Sequence, residues 1–130
     1  MKAVDTNVLA RYLLEDDPDQ TRRAERFLIE DCSADDPCLI NRIVLCELVW
    51  VLERAYKRPR ALVVELLEAL FHSRQIVIED FDEALVALRK YETGSGFADS
   101  FLGEINHRLG CEYTATFDRQ AARQDNFRLL

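Results

Sequence analysis

A chain of 130 residues supports one compact domain and is short for two. With 48% hydrophobic and 32% charged residues and only four Gly and three Pro, it lies outside the disordered, collagen-like and low-complexity classes. Its 17 basic against 24 acidic residues give a net charge of −7, which argues against binding nucleic acid by bulk electrostatics but suits a site made of carboxylates and cations. The longest apolar runs, Leu48–Leu52 and Ala84–Leu88, fall far short of the roughly 20 residues that span a bilayer, and the first residues carry no signal-peptide stretch, so a soluble cytoplasmic protein is expected.

In chain order, a short strand at Lys2–Val4 leads through Asp5-Thr6-Asn7 into a helical pattern ending at Leu14. Asp17, Pro18 and Gln20 have the spacing of an N-cap, a first-turn proline and a third-position partner, opening a helix with Ala24, Phe27 and Leu28 on one face. A strand at Cys38–Ile40 is followed by Asn41, an N-cap for a long helix to about Lys57. Arg58-Pro59 closes that helix and starts another, with Leu62, Val63, Leu66, Leu67, Leu70 and Phe71 at helical spacing. Ile76–Ile78 reads as a buried strand, and Asp80 with Glu83 as a capping box for a helix through Ala84, Leu88 and Tyr91. Gly94-Ser95-Gly96 breaks the chain before a helix from Phe97 to about Leu109. A strand at Glu112–Phe117, a turn at Asp118 and a last strand at Phe127–Leu130 complete it. Short apolar strands alternating with helices imply an α/β fold with a mostly parallel sheet covered on both faces, occupying residues 1–130 as one domain.

The four cysteines have no zinc-finger or CxxC spacing. Cys38, Cys46 and Cys111 lie in apolar stretches and are expected as reduced, core-packing thiols.

In open parallel sheets ligands bind beyond the carboxyl ends of strands, and two acids fall there: Asp5 after the first strand and Asp118 after the fourth. Either could equally be a helix or turn cap. Glu47 is the only polar side chain in the ten residues Ile43–Leu52. A helix apolar on nearly all sides is expected to be buried, so Glu47 needs an Arg partner, a raised pKa or a metal, unless it forms a structural ion pair or snorkels to the surface. Asp99 sits in the first turn of its helix, where the helix dipole alone would favour it; Gly103 and Asn106 on its face suit a pocket lining. If these carboxylates converge they cannot all stay ionised without a cation. Mg²⁺ or Mn²⁺ would resolve the conflict and supply hydrolytic chemistry at a phosphodiester.

The residues Val4-Asp5-Thr6-Asn7-Val8-Leu9, the helix Leu45–Leu52, Phe97-Ala98-Asp99-Ser100 and Thr114–Arg119 follow one another in the order and at the spacing of the PIN-domain ribonucleases. The chain resembles that family over its whole length, and more closely its VapC-type toxins. The resemblance implies a three-layer α/β/α domain whose acids Asp5, Glu47, Asp99 and Asp118 bind Mg²⁺ or Mn²⁺ and hydrolyse RNA with a metal-activated water. Thr6, Asn7 and Thr116 match polar positions that orient those acids. It further implies a homodimer and inhibition by a cognate VapB-like antitoxin. The apolar stripe Leu62–Phe71 serves either a dimer face or the core.

Other readings fit less well. A phosphatase with an aspartate nucleophile wants a second acid where Asn7 stands, and none of the three lysines sits where a response-regulator receiver needs one. A non-catalytic PIN-like scaffold binding RNA or protein is the remaining alternative, although such members typically lose acids that this chain keeps.

Overall fold

The computed structural model describes residues 1–130 and separates them into two compact units, Met1–Glu79 and Asp80–Leu130. Both mix helices with parallel strands, so the expected α/β class holds; the five strands form a three-stranded and a two-stranded sheet.

In the first unit, β1 (Lys2–Ala3), β2 (Cys38–Ile40) and β3 (Ile76–Ile78) pair in that order, all parallel. Helices α1 (Thr6–Leu14) and α2 (Pro18–Arg26) connect β1 to β2, while α3 (Arg42–Arg54) and α4 (Arg60–Phe71) connect β2 to β3. Local chemistry sets the helix starts. Asp17 accepts from the Gln20 amide at 3.1 Å with Pro18 behind it, and Asn41 accepts from the Val44 amide at 2.9 Å. The Gln20 side chain does not complete a box with its cap; its Oε1 accepts from Arg11 Nε at 2.7 Å, joining α2 to α1. Phe27 and Leu28, expected on α2, lie in a π-helical turn, Phe27–Asp31, that ends it. Leu9, Ile40, Leu45, Leu48, Leu52, Val63 and Leu67 are wholly buried. The stripe on α4 therefore divides: Val63, Val64, Leu67 and Leu70 are buried, whereas Leu62, Leu66 and Phe71 are partly open.

In the second unit, α5 (Phe81–Glu92) and α6 (Phe97–Arg108) pack together, with edge-on aromatic contacts from Tyr91 to Phe97 and from Phe97 to Phe101. Parallel strands β4 (Thr114–Thr116) and β5 (Phe127–Leu129) flank a 3₁₀ turn, Ala121–Arg123. The expected capping box at α5 is absent. Asp80 has the left-handed φ of 53° and makes no cap bond, and Arg108 reaches back to Asp80 at 2.6 Å and Glu83 at 2.5 Å. A charge-assisted pair with a guanidinium outweighs a neutral amide for the same carboxylates.

The thiols are sorted differently from the expectation as well. All four are free; Cys32, outside the apolar stretches, is buried beside Cys38, whereas Cys111 is exposed. Burial pushes the Cys38 thiol up to about 11, keeping it protonated and unreactive.

Candidate functional site

The register of the three-stranded sheet levels Lys2 with Cys38 and Ile76, so the residues just past the strands, Asp5, Asn41 and Glu79, share its carboxyl edge. Two of these polar groups are committed to α3. Asn41 caps it, and Glu79 Oε1 accepts from the Arg42 amide at 2.8 Å and from its Nε at 3.1 Å, which holds the Glu79 carboxyl below the usual range. Asp5 caps α1, its Oδ1 accepting from the Val8 amide at 3.2 Å, and its side chain remains exposed.

Thr6, the first residue of α1, is buried, and its hydroxyl donates to Glu47 Oε1 at 2.5 Å. This bond ties the residue after Asp5 to the middle of α3 and fixes the Glu47 carboxylate from one side. Of the two expectations for Glu47, burial with compensation gives way to the surface position. Glu47 is exposed, as are its helix-face neighbours Ile43 (70%) and Trp50 (56%), while Leu45, Leu48, Val49 and Leu52 face the core. The face of α3 bearing Glu47 is apolar without being covered. Its carboxylate keeps water on one side and a hydroxyl on the other, so the compensation demanded of a buried charge is not needed.

Asp5 and Asn7 also line a cavity of 580 Å³ shared by β1, α1 and α2, walled by Val8, Ala24 and Phe27 and edged by Arg11 and Arg23. No local pattern marks this cavity in the sequence, because its walls come from separate elements.

In the second unit, Asp99 in the first turn of α6 and Asp118 beyond β4 are brought into each other's field. Burial first, and the Asp118 charge second, raise the Asp99 carboxyl above its ordinary value. The turn that places Asp118 is well determined. Its Oδ1 accepts from the Gln120 amide at 2.8 Å and the Ala121 amide at 3.3 Å, and its own amide donates to Thr116 Oγ1 at 2.9 Å. Gln120 Nε2 then donates to the Gly94 carbonyl at 3.2 Å, tethering this turn to the loop that enters α6. Thr116 thus shapes the Asp118 turn through its hydroxyl, a local contact two residues along the chain.

Gly103 and Asn106 do not line a pocket with Asp99. A Cβ on Gly103 would stand 2.5 Å from Phe127 Cε2 and 2.9 Å from Asn126 Nδ2, and Asn106 Nδ2 donates to Thr114 Oγ1 at 3.0 Å. Close packing of α6 on β5 requires the glycine.

Each unit therefore holds its own acids: Asp5 and Glu47 linked through Thr6, and Asp99 coupled to Asp118. No group of three or more His, Cys, Asp or Glu side chains is arranged to hold a metal ion. The donor chemistry nevertheless fits a hard cation. All four groups are carboxylates, and Asp99 is held in a position unfavourable to its own charge, which a cation would relieve.

The PIN domain family profile matches residues 2–126. The chain belongs to the PIN domain family. No curated protein and no solved structure matches it. PIN domains are generally nucleases and typically use divalent metals. In this PIN domain, Asp5, Thr6, Asp99, Thr116 and Asp118 stand at helix starts and strand ends, and Glu47 stands in the middle of α3. No helix is long and apolar enough to cross a membrane.

Proposed function

We propose that this PIN domain is a Mg²⁺- or Mn²⁺-dependent endoribonuclease, with Asp5, Glu47, Asp99 and Asp118 as its metal-binding and catalytic acids. The observation that carries the reading is the unfavourable placement of Asp99 beside Asp118, on a chain that keeps the four acids of the family motifs in order. A bound divalent cation would supply a polarised phosphodiester and an activated water.

The chain's own residues do the positioning. Thr6 Oγ1 orients Glu47 by donating a hydrogen bond to one carboxylate oxygen, leaving the other for a ligand. The amides of Gln120 and Ala121 hold one oxygen of Asp118 in place. Burial and the Asp118 charge disfavour the ionised form of Asp99, the form a cation would stabilise.

We further propose that the protein acts as the toxin of a VapBC-type pair, as a cytoplasmic homodimer inhibited by a VapB-like antitoxin. The order and spacing of the four motifs support this, and the net charge of −7 suits a basic inhibitory segment.

The test is RNA cleavage by the purified protein with Mg²⁺, Mn²⁺ or EDTA, run beside Asp99→Asn. Metal-dependent cleavage lost in the variant is expected. Absence of both cleavage and metal binding would favour a PIN-like scaffold that binds RNA or protein without cutting it.

A further inference from the structure

The exposed face of α3 continues past Glu47 to Trp50 and Arg54. These positions are three and four residues apart and therefore neighbours on one side of the helix. Trp50 is 56% exposed, and the Arg54 guanidinium carbon lies over its ring, 5.8 Å from the centroid. Cation–π attraction holds the arginine on one face of the indole and leaves more than half of the residue open.

The chain then runs Arg54-Ala55-Tyr56-Lys57-Arg58-Pro59-Arg60. This segment holds four of the 17 basic residues and no acid, in a protein whose net charge is −7. All four basic residues are exposed. The segment is fixed rather than loose: the Tyr56 amide donates to the Val51 carbonyl at 3.2 Å, the Arg58 amide to the Leu52 carbonyl at 2.9 Å, and Lys57 takes a left-handed φ of 52°. The Tyr56 hydroxyl accepts from Arg11 at 3.0 Å, anchoring the turn to α1. An exposed indole with a guanidinium over one face, followed by a fixed basic turn, offers a base a surface to stack on and its flanking phosphates cations to meet.

We propose that Trp50 is a stacking platform for an unpaired RNA base, and that Arg54, Lys57 and Arg58 hold the adjoining phosphates. This rests on the nuclease reading, because Glu47 lies one turn from Trp50 on the same face and the platform would position the strand relative to that acid. Three features favour RNA over a protein partner: the local reversal of charge, the flat aromatic left open, and the polar groups on both sides of it.

Trp50 is the only tryptophan, so its emission reports the proposed contact directly. The full chain carrying Asp99→Asn, in EDTA, is titrated with a single-stranded oligouridylate of about eight nucleotides, a length within the range one such surface covers. Saturable quenching is expected. Log affinity should fall with log salt with a slope near −2, the value for about three phosphates on a single strand.

Anisotropy of the labelled oligonucleotide then compares variants. Trp50→Ala should weaken binding by about tenfold or more, and Trp50→Phe should keep most of it, because stacking needs only a ring. Arg54→Gln with Lys57→Gln and Arg58→Gln should flatten the salt slope. Unchanged affinity in Trp50→Ala would overturn the proposal. So would oligonucleotide binding without any change in emission, or an altered sedimentation of Trp50→Ala with RNA affinity intact, which would make this face a protein contact. The two readings separate cleanly: quenching without cleavage by the wild-type chain retains the platform and removes the nuclease, whereas cleavage with an unchanged KM in Trp50→Ala does the reverse.

Discussion

At the scale of single residues, the site is a set of carboxylates distinguished by what each must satisfy. Glu79 serves the Arg42 amide and side chain, Asp80 and Glu83 share Arg108, and Asp36 is held by Lys2 and the terminal amine. Asp99 lacks such compensation: burial and the nearby Asp118 both disfavour its charge. Its folded-state pKa therefore lies above the ordinary value of 3.8, so ionisation favours the unfolded chain. The penalty is complete above the raised pKa and vanishes as the pH falls below 3.8, where both states are protonated. Asp99→Asn should accordingly raise the melting temperature of the metal-free protein at neutral pH, and thermal melts at falling pH should show the gain shrinking. Mn²⁺ should stabilise the wild type and leave Asp99→Asn nearly unmoved, by mass action on the folded state alone. A second residue-scale outcome concerns Thr6. Thr6→Val keeps the shape and deletes the donor to Glu47, so if Glu47 has the proposed metal-binding role, metal affinity measured by titration should fall by about ten- to a hundredfold.

At the scale of elements, most boundaries were legible because the signals are local. Asp17-Pro18, Asn41, Pro59 and the Gly94–Gly96 break set helix ends through hydrogen bonds and backbone geometry within three or four residues, and the strands Cys38–Ile40 and Ile76–Ile78 are where the apolar runs place them. Asn41→Ala should cost about 1 kcal/mol by removing the cap of α3, read from urea unfolding. Gly103→Ala should cost about 1–3 kcal/mol, because the added methyl enters the space of Phe127 and Asn126. Local signals failed where a distant side chain competed for the same group. Asp80 and Glu83 have the spacing of a capping box, but Arg108, more than twenty residues on, takes both. Gln20 likewise turns to Arg11. Neither partner can be found by looking three or four residues along the chain.

At the scale of the whole molecule, the acids are supplied in pairs, Asp5 and Glu47 by residues 1–79 and Asp99 and Asp118 by residues 80–130. If catalysis needs both pairs, Asp5→Asn and Asp99→Asn should each abolish cleavage, and the double variant should be no worse than either, since residues acting as a unit are strongly non-additive. Additive partial losses, measured as kcat/KM on one RNA, would show that the pairs act separately. Net charge also belongs to this scale. A chain at −7 repels a polyanion on average, so any RNA affinity must come from local reversals such as residues 54–60 and must weaken steeply with salt.

The sequence by itself determined the alternation of strands and helices, the caps of α2 and α3, and the short run of acids worth considering, because each follows from hydrogen bonding, periodicity or chain order. It could not decide which face of α3 the fold would cover. Ile43–Leu52 is apolar on nearly every side, so its pattern carries no phase, and only the packing of Leu45, Leu48 and Leu52 inward left Ile43, Glu47 and Trp50 outside. The cysteines follow the same rule, with Cys32 buried from a polar neighbourhood and Cys111 exposed from an apolar one. Burial is a property of what lies opposite a residue, and what lies opposite is set by the path of the whole chain.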